Sequence, residues 1–156
     1  MDKKLYTEVN KLCKWINGNL NESQQTKHGG LKKRNKPGIY IVYDGKNPIY
    51  VGRTSRTGRI RLSEMVSDYR SHTLNRKLMK EKINNDLKLG IKSLKNDTKE
   101  ELIQQGKISR SDFEAIQRDV NTKIKNMFKF LFIPCENELI RMEHWLIALL
   151  NPQYND

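Results

Sequence analysis

The sequence predicts an α/β protein of the α+β type, with a small, three-stranded, mainly antiparallel sheet flanked by helices. Two short β-prone runs, 38–43 and 48–52, enclose an Asp-Gly turn, which is a strong hairpin signal. A third β-prone run, 127–133, lies far along the chain. Apolar residues at helical spacing precede the hairpin, follow it and close the sequence.

The helices are predicted from apolar residues at intervals of three and four. Stripes of this kind cover residues 3–17, 58–69, 74–89 and 139–150. The capping pattern Ser109-x-x-Asp112 begins another helix with an apolar stripe of its own. The polar and basic residues 18–36 are predicted to form a loop or arm.

Size and composition limit the possible classes of protein. A chain of 156 residues suits one domain with a single core. Cys13 and Cys135 are far apart and lie outside any CxxC pattern, which favours a reducing compartment. No apolar run approaches the roughly 18 residues of a membrane span, and no signal-peptide core is present. A cytoplasmic protein is expected, with no membrane partner.

The formal net charge of +12 points to an anionic partner. Nucleic acid is the commonest reason for such an excess, followed by an anionic membrane surface, and solubility alone is a third explanation. Four arginines stand close together after the hairpin: Arg53, Arg56, Arg59 and Arg61. One guanidinium group can donate two parallel hydrogen bonds to the oxygens of a phosphate, which favours a phosphate-binding site. The alternative is a solvated surface loop.

Glu143 is a candidate ligand for a hard cation. It lies at the edge of the apolar face of the last helix, where one carboxylate together with phosphate oxygens would suit Mg²⁺. The alternative is a rim carboxylate paired with an arginine or lysine. His144 is adjacent, but the Cys and His spacing of a zinc site is missing.

Tyr40 and Tyr50 are candidate proton acceptors. A phenol with a pKa near 10 is a poor base, but arginines and a metal ion nearby would favour its phenolate. Either tyrosine would otherwise be an ordinary strand aromatic.

Taken together, these motifs resemble the GIY-YIG nuclease family. "GIY" at 38–40 and "YVG" at 50–52 match the motif that names it, and "NPQYN" at 151–155 resembles its ending. Between them lie the third strand and the helix that carries Glu143, in the family's order. The resemblance implies a single domain over 1–156, divided as follows: core 37–69 and 127–156, N-terminal helix and basic loop 1–36, helical insertion about 80–126.

The resemblance also implies roles for individual residues. Tyr40 would be the general base, alone or with Tyr50, and Arg61 would stabilise the charge that develops on the phosphate. Glu143 would hold one divalent cation, Mg²⁺ or Mn²⁺. Asn155 would orient the chain end or a tyrosine hydroxyl. The phosphates of double-stranded DNA would be contacted by a basic set: Arg53, Arg56, Arg59, Lys32, Lys33 and Arg34.

Three questions stay open at this stage. Many family members place His or Tyr four residues after the helix arginine, but Met65 stands there, so Tyr69 or His72 would have to substitute. The biological role is that of a restriction endonuclease or of a phage or mobile-element nuclease, and a homodimer would allow both strands to be cut. A non-catalytic nucleic-acid-binding protein that retains the nuclease fold is the alternative function.

Overall fold

The computed structural model describes residues 3–20, 22–31, 35–95 and 97–155. Its sheet has four strands, and each neighbouring pair is antiparallel. In the order of the sheet they are β1 (Thr26–Lys27), β4 (Lys129–Pro134), β2 (Gly38–Asp44) and β3 (Asn47–Thr54). The predicted α/β fold is confirmed, but the predicted number of strands is wrong by one. The missed β1 has only two residues, too few for any period to show in the sequence.

Seven helices surround the sheet in the described part of the chain. They are α1 (Lys3–Asn19), α2 (His28–Leu31), α3 (Gly58–Met65), α4 (Thr73–Leu87), α5 (Thr98–Gln104), α6 (Arg110–Asn126) and α7 (Leu139–Leu150). None of them is long and apolar enough to cross a membrane. The short α2, together with β1, lies in the segment 18–36 that was predicted to be a loop.

Helix α3 ends four residues earlier than its apolar stripe predicts. The backbone leaves helical geometry at Val66, and the N–H of Tyr69 bonds the side chain of Gln117 on α6 instead of a carbonyl four residues back. Tyr69 is still buried, as the stripe predicts, but against Phe113 of α6, with ring centroids 5.5 Å apart. A tertiary contact therefore replaces the last turn of the helix.

The sheet separates two apolar layers. Because successive residues of β2 point to opposite faces, Tyr40 and Val42 pack towards α3, α4 and α6. Ile39 and Ile41 pack on the other face against α1 and α7, where Met142 and Leu146 are buried. This arrangement explains why the central strand is buried on both faces from Gly38 to Tyr43.

The C-terminal residues cover the outer edge of β3. The backbone N–H of Tyr154 donates to the carbonyl of Ile49 at 2.9 Å, and the Asn155 side chain bonds both backbone groups of Val51. The hydroxyl of Tyr154 donates to Glu81 on α4. The strand that carries Tyr50 is thus fixed on both sides.

Candidate active site

The hairpin places Tyr40 and Tyr50 on one face of the sheet. In the antiparallel register Tyr40 is opposite Gly52 and Tyr50 is opposite Val42, and the two tyrosine rings lie 6.2 Å apart between centroids. A Cβ at position 52 would overlap the ring and hydroxyl oxygen of Tyr40. Glycine is therefore required at the end of YVG because the Tyr40 side chain lies directly over its backbone.

His72 contacts the hydroxyl of Tyr40. Its Nε2 lies 2.8 Å from the Tyr40 oxygen, and its Nδ1 accepts the backbone N–H of Leu74 at 3.1 Å. A neutral imidazole that accepts at Nδ1 carries its proton on Nε2. His72 consequently donates to Tyr40, and the Tyr40 hydroxyl remains able to donate its own proton elsewhere.

Arg61, on α3, is held by a carboxylate and a backbone carbonyl. Its Nη1 donates to Glu64 at 3.1 Å and to the carbonyl of Ser71 at 3.3 Å. Glu64 also forms an ion pair with Arg56 at 2.7 Å. One carboxylate therefore fixes two of the four clustered arginines, and Arg61 keeps 23% of its side chain exposed.

Glu143, on α7, faces the same cleft from the opposite side. Its Oε2 accepts Nε of Arg53 at 2.7 Å, and 18% of its side chain is exposed. The described residues contain no group of three or more His, Cys, Asp or Glu side chains that could hold a metal ion. One carboxylate, with water and phosphate oxygens as the other ligands, fits Mg²⁺ or Mn²⁺ and does not fit zinc.

These side chains line one polar cleft of about 270 Å³. Its lining consists of Tyr40, Tyr50, Arg53, Thr54, Ser55, Arg56, Arg61 and Glu143. The structure thus brings together all four residues predicted to be catalytic and two of the predicted DNA-binding arginines.

Burial sets the protonation states inside the cleft. It raises the pKa of Tyr40 well above its usual value; Tyr50 adds to this effect and Arg61 opposes it. Burial likewise raises the pKa of Tyr50. Burial, assisted by the charge of Arg61, lowers the pKa of His72 to about 3. At neutral pH Tyr40, Tyr50 and His72 are therefore uncharged.

Of the other predicted site residues, Arg59 and Asn155 lie outside the cleft lining. Arg59 is exposed on the first turn of α3 and does not line the cleft. Asn155 contacts the backbone of Val51 and not a tyrosine hydroxyl. The basic residues Lys32, Lys33 and Arg34 lie outside the described residues.

Sequence reasoning left one contact of the cleft undecided and missed another. His72 and Tyr69 were equal alternatives, and the structure places His72 at Tyr40 while Tyr69 packs into the core beside α6. Glu64 was not singled out, although an acidic residue three positions after Arg61 on a helix is a recognisable ion-pair pattern.

No protein-family model matches the chain, and no curated protein matches its sequence. Among solved structures, the chain is similar to the GIY-YIG N-terminal endonuclease domain of UvrC from Thermotoga maritima, bound to its catalytic divalent cation, magnesium. That alignment covers 81% of this chain and 90% of that chain, at 17% identity and a TM-score of 0.39. A point mutant of the same domain, also with its catalytic divalent cation, aligns over 88% of this chain and 99% of that chain, at 15% identity and a TM-score of 0.41. Both structures are of the family that the sequence motifs resemble.

Proposed function

We propose that this protein is a divalent-metal-dependent endonuclease that hydrolyses DNA phosphodiester bonds. The main support is the convergence of Tyr40, Arg61 and Glu143 on one polar cleft. Hydrolysis of a phosphodiester needs a proton acceptor, positive charge for the phosphate and a ligand for a hard cation, and these three side chains supply one each. The net charge of +12 suits a polyanionic substrate.

In the proposed reaction a water molecule attacks phosphorus while its proton passes to the phenolate oxygen of Tyr40. The new phosphorus–oxygen bond forms as the bond to one ester oxygen breaks, and the departing oxygen takes up a proton from solvent. The Nε2–H of His72 stabilises the phenolate through its 2.8 Å contact. Because burial raises the pKa of Tyr40, deprotonation requires further positive charge in the cleft.

Arg61 supplies the positive charge that the chain itself already places beside Tyr40. The positive charge of its guanidinium partly offsets the rise in the pKa of the Tyr40 hydroxyl. Glu64 and the Ser71 carbonyl hold the guanidinium in place. An arginine fixed in this way stabilises negative charge on a phosphate without having to reorganise during the reaction.

Glu143 would hold the divalent cation. When bound, the cation stabilises the negative charge of the leaving oxygen. The carboxylate already bonds Arg53 through Oε2, so cation binding would weaken or displace this ion pair. Arg53 would then be able to bind a phosphate oxygen next to the cleavage point.

The remaining predicted contacts concern the DNA duplex. Arg56 would exchange its ion pair with Glu64 for a contact with a phosphate, and Arg59 would contact a flanking phosphate from the surface of α3. The basic loop and the helical insertion would surround the duplex. One cleft cuts one strand at a time, so a double-strand break calls for a homodimer or successive nicks. A restriction role, or one in a phage or mobile element, would be consistent with this activity.

A non-catalytic nucleic-acid-binding protein is the second candidate. The observation that favours it is the burial of Tyr40, which has 0% of its surface exposed and is a neutral phenol in the free protein. In this case the cleft would bind phosphate without cleaving it.

A plasmid-nicking assay separates these two functions. We expect purified protein to convert supercoiled DNA to nicked DNA with Mg²⁺ or Mn²⁺, and EDTA to stop the reaction. Glu143→Ala should abolish nicking but retain DNA binding, because binding depends mainly on phosphate contacts with Lys and Arg.

The matched control is Glu136→Ala, which removes an exposed carboxylate that pairs with Lys36 outside the cleft. This variant should nick DNA like the wild type. Intact DNA in every reaction, combined with measurable binding, would establish the binding protein instead.

A further inference from the structure

Two groups that surround Tyr40 lie on separate elements of the fold and must be held at a fixed distance from each other. Arg61 lies on α3, whereas His72 is the N-cap of α4, and the segment 66–72 between them is not helical. Two residues four positions apart on one helix are held at a constant spacing by the helix itself. Here another part of the molecule must fix where His72 meets Tyr40.

Three amide side chains hold the backbone of the last residue of α3 and of this connecting segment. Asn75, on α4, donates to the carbonyl of Met65 at 2.7 Å. Gln117, on α6, accepts the N–H of Tyr69 at 3.0 Å. Asn121, one turn further along α6, donates to the carbonyl of Ser67 at 3.4 Å.

The same three amides are bonded to one another. Gln117 donates to the side-chain oxygens of Asn75 and Asn121 at 2.9 and 3.1 Å, and Asn75 donates to Asn121 at 2.7 Å. Asn75 is fully buried, where an unpaired amide would be costly, and every one of its polar atoms has a partner. Gln117 and Asn121 are partly buried, and a network whose bonds are satisfied in this way favours one arrangement of its members over others.

The end of the connecting segment carries two groups of the cleft. The Ser71 carbonyl accepts Arg61, and the His72 imidazole donates to Tyr40. Arg76 adds a further restraint, because its guanidinium donates to the carbonyl of Arg70 at 2.9 Å. A shift of the segment would therefore move both contacts together.

We propose that the cluster Asn75, Gln117 and Asn121 is a positioning device through which α6 of the insertion sets the geometry of Arg61 and His72 at Tyr40. Of the three, Gln117 holds the backbone group nearest in sequence to His72, the N–H of Tyr69. None of the three residues lines the cleft, so none is a catalytic residue. The proposal rests on the proposed nuclease function for its kinetic consequence, but its structural consequence can be measured separately.

The test compares two isosteric losses of an amide. Gln117→Met removes the bond to the N–H of Tyr69 and both bonds to the other amides. Asn84→Leu removes an amide that also makes two backbone bonds, to the N–H and carbonyl of Ile91 at 2.7 and 2.9 Å, in a part of the insertion away from the cleft. Both variants should lose thermal stability. Only Gln117→Met should lower kcat, on the order of tenfold to a hundredfold, with KM for DNA unchanged, because a small misplacement of catalytic groups has effects of this size.

The second readout does not need nuclease activity. The Nε2–H resonance of His72 in the free protein should shift in Gln117→Met and stay at its wild-type position in Asn84→Leu. If the wild type does not cleave DNA and this resonance shifts as expected, the proposed function fails while the positioning device stands.

Equal losses of stability in the two variants, with wild-type kcat and an unmoved His72 resonance in both, would overturn the positioning device and leave the nuclease intact. If Gln117→Met does not fold, Asn121→Ala, which removes the single long bond to Ser67 and two bonds within the cluster, gives the same pair of readouts. A wild-type His72 resonance in folded Asn121→Ala would then count against the device.

Discussion

The inner and outer halves of the cleft are built on different principles. In the inner half, Tyr40, Tyr50 and His72 have 0%, 7% and 1% of their surfaces exposed, and ring contacts and hydrogen bonds fix them. In the outer half, the side chains of Arg53 and Arg56 are 40% and 52% exposed and are paired with carboxylates. The inner half is already assembled in the free protein, whereas the outer half would have to exchange its partners to bind a phosphate.

Substitutions in the two halves should therefore affect different properties of the protein. Substitutions in the inner half should alter turnover and the pH dependence of stability, since those groups are buried and neutral. Substitutions in the outer half should alter mainly DNA binding and its salt dependence, since exposed charges act through phosphate contacts.

Among the buried groups of the inner half, the largest effect is expected at Tyr40. Tyr40→Phe keeps the ring that packs over Gly52 and removes only the hydroxyl, so the protein should fold and bind DNA normally. Loss of the proton acceptor should lower turnover about 10²- to 10⁴-fold in single-turnover cleavage. Tyr50→Phe is the matched variant on the same face of the hairpin; a larger loss there than at Tyr40 would move the role of the base to Tyr50.

The pH dependence of cleavage should identify the same group. Because the pKa of Tyr40 is raised, its phenolate is the minor form at neutral pH, and the population of that form grows tenfold with each pH unit. The single-turnover rate should therefore rise with pH through the neutral range, and this rise should disappear in Tyr40→Phe. A rate that is already constant from pH 6 to 8, at saturating DNA and metal, would exclude a tyrosine of raised pKa as the base.

The next largest difference is expected between two arginines of α3. Arg61→Ala should lower turnover on the order of 100-fold or more, the effect of removing a group that stabilises transition-state charge. Arg59→Ala should weaken DNA binding and leave turnover at saturating DNA close to the wild-type value, because Arg59 is exposed outside the cleft. The reverse pattern in the two variants would make Arg59 the arginine that contacts the scissile phosphate.

The sheet and the charged side chains of the cleft were the more predictable parts of the molecule. The hairpin follows from an Asp-Gly turn between two β-prone runs, and Arg53, Arg61 and Glu143 belong to motifs that are contiguous in sequence. The sequence could not decide between His72 and Tyr69 for the role of the His or Tyr that follows the helix arginine, because the choice depends on where α3 ends. That end is set by the bond from Tyr69 to Gln117, which joins residues 48 positions apart. A local hydrophobic period carries no information about such a contact.

The smallest of these effects should be found in the stability of the protein rather than in its activity. The pKa of His72 is about 3 in the folded protein and about 6.5 in an unfolded chain. Between these two pH values the imidazole is therefore protonated in the unfolded state and neutral in the folded state. The contribution of this pKa difference to the free energy of unfolding is fully present above pH 6.5 and is lost as the pH falls towards 3.

His72→Gln removes this group while keeping a side chain that can donate to Tyr40. As the pH falls below 6.5, the unfolding free energy of the wild type should decrease relative to that of the variant by up to about 1.4 kcal/mol for each pH unit. Urea unfolding at pH 7.0, 6.0 and 5.0 measures this difference, and carboxylates cancel from it because both proteins contain the same ones. Parallel pH profiles for the two proteins would mean that folding does not lower the pKa of His72, and the description of His72 as an imidazole held neutral by burial would be wrong.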